Sequence, residues 1–84
     1  MNNIVMRKVN VTASYQALVN RKLVASVTIS ALPTNAGPVY FRGDDGLDVP
    51  WLPGEWHEFQ SVNVGEILVK GAVGDAMTVV GGTW

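Results

Sequence analysis

The chain contains no cysteine and one histidine, and only 15% of its 84 residues carry charge. Without cysteine there is neither a disulfide framework nor a thiolate metal site to supplement the core. A single histidine leaves little for acid-base or nucleophilic catalysis, which needs convergent titratable groups. Charge falls short of the roughly 25% usual for globular domains. That shortage suggests a surface partly covered by protein. The net charge is -1, which gives no support for binding nucleic acid through phosphate neutralisation. The longest uncharged run, Leu23 to Phe41, is interrupted by Ser, Thr, Asn, Gly and two prolines, so it is no membrane span. The first residues, MNNIVMRKVN, lack the apolar stretch of a signal peptide, and the expected site of synthesis and assembly is a cytoplasm.

A chain this short makes one domain and buries only about 60–65% of the surface its unfolded form exposes. Assembly with other chains is the remaining source of stability. Helix signals are nearly absent, whereas β-branched residues alternate with polar ones between Gly, Pro and Asn punctuation. The period of two predicts strands at Val9–Tyr15 and Leu23–Ala31. Further short strands are predicted at Val39–Arg42, Trp56–Val62, Glu66–Lys70 and Ala76–Val80. Six or seven short antiparallel strands must fold as a small all-β sandwich or barrel, because a single sheet could not bury all the apolar faces. Residues 1–8 read as an extended N-terminal arm, and 9–84 as one β-sandwich domain with a short C-terminal tail.

The turns are specific. In Leu52-Pro53-Gly54-Glu55, Pro in second and Gly in third position favour a type II turn. In LPTNAGPVYF, Pro33 fixes φ, Asn35 tolerates a left-handed conformation and Gly37 supplies positive φ. Gly74-Asp75 turns the chain between the last two strands.

Candidate sites are few. His57 and Glu58 are neighbours in a strand, so they point to opposite faces and form no dyad. His57 shares its face with Phe59 and reads as a partly buried structural histidine. Asp44-Asp45-Gly46-Leu47-Asp48 lacks the spacing and closing Glu of an EF-hand loop and reads as a solvated turn. Neither GDDG nor VGGTW is a phosphate loop. No catalytic, metal or cofactor residue is expected. Protein contact is the chemistry that remains: Ser26, Thr28 and Ser30 give the second strand an uncharged polar face suited to an interface. The same parity that turns His57 and Phe59 inward turns Trp56 and Glu58 outward. Trp is enriched at interfaces for its large area at low entropic cost. Trp84, after Gly-Gly, is expected to dock on a neighbouring chain, and Arg7 and Lys8 to order on a partner with the arm.

Three stretches, VTISALPTNAGPVYFRG, LPGEWHEF and GEILVKGAVGDAMTVV, resemble a group of small tailed-phage and prophage β-sandwich virion proteins that includes head decoration (cement) proteins. The likeness spans residues 9 to 80, and its most specific element is Leu32 to Tyr40. These motifs are turn and strand chemistry, and vouch for fold more than role. In that group the positions of Trp51, His57 and Phe59 are usually apolar and that of Trp56 small and polar, so Trp56 is a departure. The resemblance implies a non-enzymatic virion protein that binds and stabilises the assembled capsid. Its partners would be the major capsid protein or other virion proteins, and it would form a homo-oligomer, a trimer by preference. A head fibre, neck or tail component is the structural alternative. A carbohydrate-binding module that stacks host glycans on Trp56 or Trp51 is the alternative from another class.

Overall fold

The computed structural model describes residues 3–83 and has two antiparallel four-stranded sheets packed face to face. A long sheet has the order β1-β8-β3-β6 and comprises β1 (Asn3–Asn10), β3 (Val24–Ala31), β6 (Trp56–Asn63) and β8 (Ala76–Thr83), each of eight residues. A short sheet has the order β2-β7-β4-β5 and comprises β2 (Gln16–Ala17), β4 (Val39–Arg42), β5 (Val49–Trp51) and β7 (Leu68–Lys70).

Alternation places the core as expected. Ala25, Val27, Ile29 and Ala31 point inward from β3, joined by Met77 and Val79 of β8 and Val5 of β1. From the short sheet come Val39, Phe41, Trp51 and Val69, and from the connections Val11, Leu18, Val19 and Val64. Fully burying one such side chain stabilises the fold by about 1.5–3 kcal/mol.

The all-β sandwich stands, with eight strands rather than six or seven. The largest difference lies at the N-terminus. Residues 3–8 are no arm: with Val9 and Asn10 they form β1, in unbroken register from Asn3 opposite Thr83 to Asn10 opposite Ala76. The strand expected at Val9–Tyr15 therefore ends at Asn10, and Thr12 Oγ1 donates to the Ser14 carbonyl at 3.0 Å in a local turn. Pairing decides this, since 3–10 has an eight-residue partner and 11–15 does not. The expected tail residues Gly81 to Thr83 belong to β8 for the same reason. The segment expected to open a strand at Glu66 begins instead as a 3-10 turn, Val64–Glu66, capped by Asn63, whose Oδ1 accepts from the Gly65 amide. β5 runs through Pro50, which is tolerated because β5 is an edge strand.

At Gly54 the type II turn is as predicted: φ is +85° and the Glu55 amide donates to the Leu52 carbonyl at 2.9 Å. Asn35 and Gly37 act otherwise than expected, since neither has positive φ. Asn35 instead clamps the start of β8, donating to the Ala76 carbonyl at 2.8 Å and accepting from its amide at 2.9 Å. Beside it, buried Asp75 accepts from the Ala36 amide at 2.9 Å. Two of the motifs behind the family resemblance thus meet at one structural joint.

Candidate functional site

The outer face of the long sheet is the surface that local structure leaves without a cover. Strand alternation sends Ile4, Met6 and Lys8 of β1, Thr78, Val80 and Gly82 of β8, Ser26, Thr28 and Ser30 of β3, and Trp56 and Glu58 of β6 to one side. Register arranges them in rows: Lys8, Thr78, Ser30 and Trp56 form one, and Met6, Val80, Thr28 and Glu58 the next. Ile4, Met6, Val80 and Trp56 are 78, 68, 49 and 57% exposed. Val24, also outward on β3, is exposed as well. Charge appears only at the two margins, Lys8 on edge strand β1 and Glu58 on edge strand β6. Large exposed apolar side chains gathered on one face mark a contact surface, whereas the same residues scattered singly would not.

Six of the residues expected at an interface therefore share this face: Ser26, Thr28, Ser30, Trp56, Glu58 and Lys8. Arg7, next to Lys8 in β1, points to the other side of the sheet and lines a groove with Arg21 and Leu23. Trp84 lies outside the described residues. Ser26 is partly engaged already: its Oγ accepts from the Ser61 amide at 3.0 Å, where β6 bulges and Ser61 takes φ +53°. Ile4, Met6, Val24 and Val80 were not legible as site residues. In IVMRKV the apolar residues fall on both parities, so the outward set is hidden until the pairing partner is known.

The two tryptophans of the Pro-Gly turn have opposite fates. Trp51 is 5% exposed, packed on Phe41 with ring centroids 3.9 Å apart and met edge-on by His57 at 4.7 Å. It closes the core and is unavailable as a stacking platform for sugars. Trp56 is open.

His57 is more exposed than expected, with half of its side chain accessible, although its ring does turn toward Trp51. Its partner is Glu55, two residues back at the end of the preceding turn, 2.7 Å from Nε2. Bonding to His57 first, and to the Leu52 amide second, holds the Glu55 carboxyl below its ordinary value. With Phe41, Val49, Phe59 and Ile67, Trp51 and His57 line an open apolar cleft of about 300 Å³ at the β5–β6 side of the sandwich.

The acidic loop is likewise not wholly solvated. Asp48 accepts from the Tyr15 hydroxyl and from Arg42 Nη2 at 3.1 Å, and Lys70 Nζ lies 3.5 Å from its other oxygen. The Arg42 guanidinium stacks 4.1 Å from the centre of the Tyr15 ring. The Tyr15 hydrogen bond, then the Arg42 one, holds the Asp48 carboxyl below its usual range. Partial desolvation, then Asp48, pushes the Tyr15 hydroxyl up, so it stays a donor. Among the described residues no group of three or more His, Asp or Glu side chains converges as metal ligands. No described helix is long and apolar enough to cross a membrane.

No protein-family model, curated protein or solved structure matches the chain. The residues themselves therefore carry the functional argument.

Proposed function

We propose that the protein is a tailed-phage head decoration (cement) protein, a non-enzymatic virion component that binds the assembled capsid shell and stabilises it. The observation that carries this reading is the outer face of the long sheet, apolar and hydroxyl-bearing across its width and charged only at its margins. The family resemblance of residues 9 to 80 supplies the partner, the major capsid protein, and the place, the capsid surface after assembly in the host cytoplasm.

Size fits such a role. Four strands about 4.8 Å apart and eight residues rising about 3.3 Å each give a face of about 500 Å². A stable pairwise interface buries about 800 Å² per partner. One copy therefore binds weakly, and a repeating lattice that engages several linked copies multiplies those contacts by avidity.

Purified protein should sediment with emptied heads of its phage and raise the temperature at which they rupture. Val80→Lys, which sets a charge at the centre of the face, should abolish both effects while the fold survives. No co-sedimentation at protein concentrations well above micromolar would overturn the proposal. One observation favours a second reading: the exposed Trp56 ring lies in register with the Ser30 hydroxyl. A glycan module predicts binding to an array of host glycans that Trp56→Ala removes, with none to heads.

A further inference from the structure

The two edges of the long sheet are complementary to each other, and we infer that a second copy of this chain docks β1 against β6, head to tail, to continue the sheet. This association needs no capsid and stands apart from the function proposed above.

Strand direction permits it. β1 is antiparallel to β8, β8 to β3 and β3 to β6, so β1 and β6 run in opposite directions at the two edges. A copy placed beside the first in the same orientation therefore brings its β1 antiparallel to β6, with all outer faces on one side. The same step can be repeated, closing as a ring or continuing as a filament.

The free backbone groups also match. The Val11 amide donates to the Asp75 carbonyl across the β1–β8 register, so odd residues of β1 bond to β8. Ile4, Met6 and Lys8 then present their N–H and C=O groups at the open edge. Asn10 has its outward carbonyl occupied by Gln16 Nε2 at 2.9 Å, which ends the open stretch. On the other edge, the Ala31 amide donates to the Glu55 carbonyl at 2.9 Å, which leaves the outward groups to Trp56, Glu58 and Gln60. The left-handed Ser61 ends that stretch. Each edge thus offers a regular run of five residues, 4–8 and 56–60. Setting Met6 opposite Glu58 pairs both runs completely and forms six backbone hydrogen bonds at most.

Charge selects this pairing over β1 with itself or β6 with itself. β1 carries Arg7 and Lys8, and β6 and its preceding turn carry Glu55 and Glu58. In the matched register Lys8 lies opposite Trp56 and diagonal to Glu58, on the outer face. Arg7 lies diagonal to Glu55 on the inner one. A lysine on an edge strand ordinarily discourages pairing, and a facing carboxylate removes that obstacle. Exposed Met6 lies diagonal to Trp56 and gains it as a neighbour.

Sedimentation velocity from about 10 µM to about 1 mM, the range of weak protein association, reads the result. The wild-type chain should sediment as a multiple of 9.0 kDa. Met6→Pro deletes an amide that points away from β8, so it should give the 9.0 kDa species with circular dichroism unchanged. Should that variant melt the fold, Glu58→Pro on the opposite edge gives the same readout. Lys8→Glu should move association to several-fold higher concentration, and adding Glu58→Lys should restore it. A wild-type chain that remains at 9.0 kDa throughout, or folded edge-proline variants that keep the wild-type mass, would overturn the inference. So would a mass lost in Met6→Pro but indifferent to Glu58→Lys, because β1 would then be pairing with itself.

Discussion

The two sheets share a core but treat their outer faces in opposite ways. On the short sheet, Tyr15, Arg42, Asp48 and Lys70 engage one another through hydrogen bonds, ion pairs and cation–π stacking, so most of the polar groups of that face find partners within the chain. On the long sheet, Ile4, Met6, Val80 and Trp56 stand exposed among hydroxyls, with Lys8 and Glu58 on opposite margins. The difference teaches where a small protein of low charge spends its few ions. A face whose charges pair with one another has little to offer a partner, whereas one that exposes apolar area without charge gains by being covered.

Substitutions can break or sharpen this contrast. The largest effect is expected at Gly81, at the centre of the long sheet, where a Cβ would lie 2.0 Å from the Ser26 carbonyl oxygen and 2.7 Å from Val27 Cα. Both are backbone atoms and cannot yield, so Gly81→Ala should abolish the cooperative thermal transition seen by circular dichroism. Next comes Ile29→Ala in the shared core, fully buried, which should cost about 2–5 kcal/mol in urea unfolding. That is a large part of the roughly 4–13 kcal/mol expected for 84 residues.

A pair of surface variants then separates the two faces. Trp56→Ala should weaken head binding at least about tenfold, the effect of losing one interface anchor worth over 1.4 kcal/mol, and should barely move the thermal midpoint. Arg42→Ala on the short sheet should leave head binding unchanged. Equal losses in the two would remove the distinction between the faces. The smallest effect is one of pH. The Asp48 carboxyl is held below its ordinary 3.8, chiefly by the Tyr15 hydrogen bond. A depressed carboxylate contributes stability above its unfolded value that is lost as pH falls through the folded one. Asp48→Asn should therefore flatten the decline in stability below about pH 4 and leave head binding at neutral pH untouched.

Much of this is legible in the sequence, and the rest is hidden for a common reason. Strict alternation from Ala25 to Ala31 identifies both faces of β3, and the Pro53-Gly54 pair identifies its turn, because each signal lies within a few residues of chain. Parity alone placed Trp56 and Glu58 outward, and the core position of Trp51 agreed with the family resemblance. By contrast, the ambiguous alternation of residues 3–8 hides that they belong to β1, and with it the exposure of Ile4 and Met6. The gathering of Tyr15, Arg42, Asp48 and Lys70 follows from strand register. Nothing in the spacing of Tyr15 and Asp48, 33 residues apart, announces their hydrogen bond.

The sequence by itself determined the all-β class, the inward and outward sets of the strongly alternating strands, and the scarcity of charge. The first two follow from steric rules that act between neighbours in the chain, and the third is composition alone. Only the tertiary structure decided that the N-terminal residues pair with the C-terminal ones, that the exposed apolar residues of β1, β8, β3 and β6 form one face, and that the edges of this face carry opposite charge. Those facts depend on which strands become neighbours and in what register, and that choice is made by burying the common core.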